Sequence, residues 1–166
     1  VKMILSTQSP IEGSILVFLP GMREIEEFMK ELDKWARNTP NIPSYKLHIL
    51  HSACSSEYQS DVLTQVETAS TVVQIILATS VCETSLTLPS VVYVVDSCLQ
   101  KMRRFVGGEF RLVMIGASQE AMTQRCGRVG RTRDGVYYSA LDQSLLRCIK
   151  KSYSVESIFE TIDDVI

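Results

Sequence analysis

Short apolar runs alternate along the chain with stretches in which apolar residues recur at three- and four-residue spacing. Ser14-Ile15-Leu16-Val17-Phe18-Leu19 is unbroken after its serine, which predicts a strand buried on both faces and stopped by Pro20-Gly21. Across residues 22–37, Ile25, Phe28, Met29, Leu32, Trp35 and Ala36 fall on one side of a helix, with Glu26/Lys30 and Asp33/Arg37 as i,i+4 pairs on the wet side. Residues 38–44 contain Pro40 and Pro43 and read as a loop, and residues 45–50 as a second strand. Ser56 with Gln59 forms a capping-box signature for a helix whose stripe is Tyr58, Val62 and Val66. Residues 71–78 and 91–95 are further apolar strands, the latter closed by Asp96. Residues 101–106 and 109–114 flank Gly107-Gly108, which predicts a tight hairpin of about residues 98–115. Ser118 is an N-cap candidate, residues 136–141 a last strand, and the extension from about 142 to 166 reads as helical. Residues 1–13 form a short amphipathic lead-in.

Near-uniform apolar strands alternating with amphipathic helices predict an α/β fold whose mostly parallel sheet is covered on both faces. In such sheets ligands bind beyond the carboxyl ends of the strands. That rule selects Pro20-Gly21, His51-Ser52, Thr79-Ser80 and Asp96-Ser97.

Bulk properties narrow the chemistry. The 166 residues, 45% hydrophobic, suffice for one domain with a core. A formal charge of −2 confines any nucleic-acid surface to a local patch. Cys54, Cys82, Cys98, Cys126 and Cys148 form an odd set without a C-x-x-C pair, which predicts reduced thiols and an intracellular setting, cytoplasm or nucleus. No apolar run has membrane-spanning length, so no membrane partner is expected. The chain starts at Val1, which suggests a fragment of something larger.

The densest chemistry lies in Gln124-Arg125-Cys126-Gly127-Arg128-Val129-Gly130-Arg131. If the run after Ser118 is helical, Gln124, Arg128 and Arg131 share one narrow face and Met122, Cys126 and Val129 the opposite one. Two guanidinium forks and an amide at that spacing suit a polyanion and can stabilise charge on a transferring phosphoryl group. By spacing alone, a solvated basic helix fits as well. Gly127 and Gly130 are poor helix formers, which suggests that another backbone or a ligand comes close.

The string Q-R-x-G-R-x-G-R resembles motif VI of DEAH/RHA-type superfamily 2 helicases. Ile15-Leu16-Val17-Phe18-Leu19-Pro20-Gly21 resembles the family's motif IV, and Leu50-His51-Ser52 with Gln59 its motif IVa. The run from Ala78 through Thr79, Ser80, Cys82, Glu83 and Ser85 to Thr87 is similar to motif V. Their order matches the second RecA-like domain of that family across residues 14–141. The resemblance implies a single three-layer RecA-like domain with a protruding β-hairpin, acting as the second motor domain of an ATP-dependent RNA helicase. Gln124 would place the attacking water, while Arg128 and Arg131 would be arginine fingers for ATP and Mg2+ held mainly by a preceding RecA domain. Ser85 and Thr87 would lie near the nucleotide, and Leu63 would cover its base. Thr79, with backbone around Gly21 and Ser52, would hold phosphates of single-stranded or partly duplex RNA, helped by Arg103 and Arg104 of the hairpin. Protein cofactors are a further implied partner.

The sequence departs from the family where Asp61 and Leu63 stand for an arginine and an adenine-stacking phenylalanine, and Pro89 for an acidic residue that contacts ribose. Ser80 and Cys82 replace the usual Asn and Ala. These departures keep open an ATPase-weak or inactive RNA-binding or scaffolding module, and family habit alone disfavours a DNA helicase. The chain contains no G-x-x-x-x-G-K-[ST] loop and no D-E-x-H or D-E-x-D string, so alone it is expected not to hydrolyse ATP. His48, His51 and Cys54 have metal-like spacing, but strand geometry puts the histidines on opposite faces and no fourth ligand is evident, so no metal site is expected. Cys82 beside Glu83 reads as a buried structural thiol rather than a nucleophile.

Overall fold

A computed structural model describes residues 1–8, 10–68, 71–84, 88, 90–130, 134–146 and 149–153. The strands are β1 (Ser14–Phe18), β2 (Tyr45–Leu50), β3 (Val73–Ala78), β4 (Val91–Asp96), β5 (Leu99–Val106), β6 (Glu109–Gly116) and β7 (Val136–Ser139). The helices are α1 (Lys2–Thr7), α2 (Met22–Arg37), α3 (Ser56–Thr68), α4 (Val81–Thr84), α5 (Gln119–Cys126) and α6 (Gln143–Leu146). Five strands form one parallel sheet in the order β2-β3-β1-β4-β7, and β5-β6 pair apart as an antiparallel hairpin. This is the expected α/β architecture, parallel sheet and hairpin together.

Strand composition follows from two-sided burial. Leu16, Phe18, Ile76, Ala78 and Val94 join Val62 and Val66 of α3 in one cluster. The alternate residues Ile15, Val17, Ile75 and Leu77 join Ile4 and Leu5 of α1 and Ile25 and Leu32 of α2 in another. A strand wedged between helices has no wet face, so it shows no polar alternation, and each such side chain contributes about 1.5–3 kcal/mol by leaving water.

Several local expectations need correction. Arg37 pairs with Asp33 at 2.6 Å as the spacing predicts, but Arg23 pairs with Glu27 at 3.0 Å, and among the described residues Glu26 and Lys30 form no pair. The cap of α3 is Ser55, whose Oγ accepts the Tyr58 N–H at 3.2 Å, while Gln59 Nε2 donates to the Cys54 carbonyl at 3.1 Å instead of closing a box on Ser56. Tyr58, placed in the stripe by periodicity, is 42% exposed. The final strand ends at Ser139; in the expected helical extension α6 is helical and residues 149–153 are not, while residues 147, 148 and 154–166 lie outside the described residues. Ser118 does cap α5, its Oγ accepting the Ala121 N–H at 3.1 Å. Gly107 and Gly108 both have positive φ, 61° and 87°, as a two-residue hairpin turn of primed type requires.

Ile76, wholly buried in β3, and Tyr58 test this packing. Ile76→Ala should cost about 2–5 kcal/mol in urea unfolding and Tyr58→Ala no more than about 0.5 kcal/mol. A comparable loss in both would refute the two-cluster core.

Candidate functional site

The carboxyl ends of β1 to β4 and β7 finish level, since Phe18 pairs with Ala78 and Asp96, Leu50 with Ala78, and Asp96 with Ser139. The chain leaves this edge tied across the strands: Leu19 N–H donates to the Ala78 carbonyl, Thr79 N–H to Leu50, and Ser97 N–H to Phe18. The four strand-end pairs selected from the sequence therefore stand along one edge. Thr79 is half-buried and Ser52 exposed. Gly21 is buried beneath the side chain of Lys101, which reaches from β5 to Glu24 at 2.7 Å. A phosphate approaching the Gly21 backbone would thus meet the Lys101 ammonium as well.

The motif VI string does not form one helix. α5 ends at Cys126, Gly127 is its C-cap, and Gly130 takes φ 76°. The glycines therefore end the helix and turn the chain, and the space a Cβ would fill at Gly127 is bounded by the helix's own Thr123 and Gln124 carbonyls. Close backbone approach occurs instead at Gly135, where a Cβ would stand 2.9 Å from the Val92 carbonyl. The shared helical face expected for Gln124, Arg128 and Arg131 is accordingly absent for the first two, and Arg131 lies outside the described residues. Cys126, placed with Met122 and Val129 on the apolar face opposite Gln124, is exposed.

Glu83 lines a cleft with Gln124 and accepts a hydrogen bond from Arg128. Gln124 and Glu83 line a cleft of about 250 Å³ with Gln100, Ser118, Glu120, Ala121 and Tyr153. Arg128, only 9% exposed, donates from Nη2 to the Glu83 main-chain carbonyl. The residue that sequence reasoning missed is Arg125, 2% exposed, which donates to Glu83 Oε1 from Nε at 2.8 Å and to Asp96 Oδ1 from Nη1 at 2.7 Å. Its guanidinium also lies 5.1 Å from the centre of the Phe18 ring. Burial disfavours its charge, but Asp96 and then Glu83 outweigh that and raise its pKa. A signal was available: Asp96 ends a buried strand and needs a partner.

Other site residues divide. Leu63 packs partly buried against the core, and Asp61 is exposed. Ser85, Thr87 and Pro89 lie outside the described residues. Arg103 and Arg104 point to opposite faces of the hairpin: Arg103 is exposed, 5.2 Å from the Phe110 ring centre, whereas Arg104 is 1% exposed. An open phosphate contact suits Arg103 and not Arg104 in this conformation. Burial pushes the Cys82 thiol up to about 12, consistent with a structural thiol. His48 shares a 2.7 Å hydrogen bond with Gln74, and His51 Nδ1 accepts the Ala53 N–H at 3.2 Å. Among the described residues no His, Cys, Asp and Glu cluster is arranged to hold a metal, and no helix is long and apolar enough to cross a membrane.

The family described as "Helicase conserved C-terminal domain" matches residues 1–133. The chain is 35% identical over 157 residues to "Probable ATP-dependent RNA helicase spindle-E" of Drosophila pseudoobscura pseudoobscura, covering 93% of this chain and 11% of that protein. It is 35% identical over 130 residues to "DExH-box ATP-dependent RNA helicase DExH8" of Arabidopsis thaliana, covering 77% of this chain and 12% of that one. Escherichia coli DExH-box NTPase HrpB superimposes with a TM-score of 0.77 at 29% identity, over 93% of this chain and 18% of its own. The chain thus spans roughly a tenth of the length of the curated relatives it matches.

The Lys101–Glu24 bridge supplies a pH test. The hydrogen bond from Lys101 is the main force holding the Glu24 carboxyl below its usual 4.5, so folding favours the carboxylate. Its stabilisation is present above about pH 4.5 and is lost as pH falls through the lowered folded value. The unfolding free-energy difference between the parent and Glu24→Gln should therefore shrink on acidification below that point; a difference independent of pH would show the bridge to be inconsequential.

Proposed function

Because the chain belongs to the helicase conserved C-terminal domain family of DExH/DEAH-box RNA helicases, we propose that it is the second motor lobe of an ATP-dependent RNA helicase or translocase. A preceding RecA-like domain of the same protein would hold ATP and Mg2+. The observation that carries this reading is the edge where four strand ends meet and where Glu83 shares a cleft with Gln124 and accepts a hydrogen bond from Arg128. ATP would supply the phosphoryl group to be transferred. The chain's own residues fit the charge-stabilising part of such a site: Arg128 and Arg131 offer bidentate donors to phosphate oxygens, and Gln124 an amide able to orient water. Among the described residues no cluster of carboxylates and imidazoles forms a metal cage, and Mg2+ would be held by the preceding domain. Thr79, Ser52, Gly21 and Arg103 would hold RNA by its phosphates, without reading sequence.

An ATPase-weak RNA-binding module is the second reading. Two observations favour it: Leu63 packs against the core, and Arg128 is turned inward onto a main-chain carbonyl. One assay on the full-length protein separates the two. RNA-stimulated hydrolysis should be present in the parent and fall about 10³-fold or more in Arg128→Ala, the scale of an arginine finger. Thr79→Ala should weaken RNA binding about tenfold, the scale of one charged hydrogen bond, with basal hydrolysis less affected. A parent without RNA-stimulated hydrolysis supports the second reading, and an Arg128→Ala variant at parental rate removes the finger assignment.

A further inference from the structure

Arg125 touches three elements at once. Its Nε and Nη2 reach Glu83 Oε1 of α4 at 2.8 and 2.7 Å. Its Nη1 reaches Asp96 Oδ1 at the end of β4 at 2.7 Å and the Leu99 carbonyl, where β5 begins, at 3.3 Å. Glu83 is therefore gripped twice, by Arg125 at its carboxylate and by Arg128 at its main-chain carbonyl. The root of the hairpin is itself fixed to this cluster, because Cys98, at φ 59°, donates its N–H to Asp96 Oδ1 at 2.8 Å.

We propose that Arg125 is a positioning residue that couples the hairpin to Arg128 through Glu83. This inference rests on the proposed roles of Arg128 as a finger and of the hairpin as a nucleic-acid element. A load on the hairpin displaces the Leu99 carbonyl; the rigid guanidinium transmits that displacement to the Glu83 carboxylate, and Glu83 carries the carbonyl on which Arg128 rests. Only a planar fork fits the task. A lysine ammonium keeps the charge beside Asp96 but is a single point and cannot span both carboxylates and a carbonyl. Arg125 itself reaches neither nucleotide nor RNA in this scheme, so its effect belongs to the ratio of RNA-stimulated to basal kcat.

The test is Arg125→Lys in the full-length protein, with thermal unfolding and both rates measured. The ratio is expected to fall about tenfold, within the usual range of coupling between sites. A purely structural role lowers both rates by a common factor and leaves the ratio at its parental value, which overturns the proposal. Tyr137→Phe is the control: it removes the hydroxyl that donates to Asp96 Oδ2 at 2.7 Å and should lower Tm while keeping the ratio. An equal fall of the ratio in that variant also overturns the proposal. Should Arg125→Lys not fold, Glu83→Gln takes its place, since it keeps volume and an acceptor but removes the charge, and the same two outcomes decide. Arg128→Ala in the same assay separates the levels. If it is inactive while Arg125→Lys keeps its ratio, only the coupling fails; if it hydrolyses normally, the finger reading beneath it fails.

Discussion

Taking Arg125, Asp96 and Glu83 out of water costs several kcal/mol per ion, and their attraction offsets this only when the remaining donors and acceptors are also satisfied. That condition is met at Asp96, which is wholly buried: Oδ1 accepts from Arg125 and the Cys98 N–H, and Oδ2 from the Tyr137 hydroxyl. The partners come from α5, the turn into β5, and β7, so one carboxylate fixes three separate segments against the end of β4. Burial, and then the bond to Asp96, raises the Tyr137 pKa, which keeps its hydroxyl a donor. Remove one member and the others are left charged or polar in a dry place, which is the costly case.

This constraint sits at the edge where the strand ends meet and not in the middle of the core, and that location has consequences. The interior of the sheet is held by non-directional burial, which tolerates exchange of one aliphatic residue for another of similar volume. The edge is held by directional bonds among α4, α5 and the hairpin root, where a displacement of one partner is felt by the rest. A motor lobe needs both properties, a rigid platform and an edge whose parts move in concert. Cys98, a non-glycine residue at positive φ, is kept in that conformation because Asp96 binds its amide and Ser139 Oγ lies 3.1 Å from its sulfur.

What could be read from sequence follows from which forces are local. β1, α2 and β2 were legible to within a residue, because burial on two faces, or on one stripe, writes itself into apolar spacing. Ser118 and Gly107-Gly108 were legible because a cap and a tight turn depend on adjacent residues. The site was legible as a set of strand ends, yet its wiring was not. A helical wheel carried past Gly127 put Arg128 on a face that does not exist, although the low helix propensity of glycine was itself the warning. Arg125 gives little sign of its burial, because a charged residue in a polar string reads as solvated. Its neighbours Ala121 and Met122 are buried, and that fourth-residue spacing marked the inward side.

Arg103 and Arg104 carry the same lesson to the surface. They are adjacent and chemically identical, so composition treats them as one basic patch. The pleat of β5 sends one to each face, and pairing with β6 puts Leu112 opposite Arg103 and Arg111 opposite Arg104. On the outer face Arg103 lies near the Phe110 ring and keeps its charge in water; on the inner face Arg104 loses solvent almost entirely. For a chain of net charge −2, attraction to a polyanion depends on where single cations stand more than on how many there are. A count of hairpin arginines therefore overstates the electrostatic footprint, and the period of two along the strand corrects it.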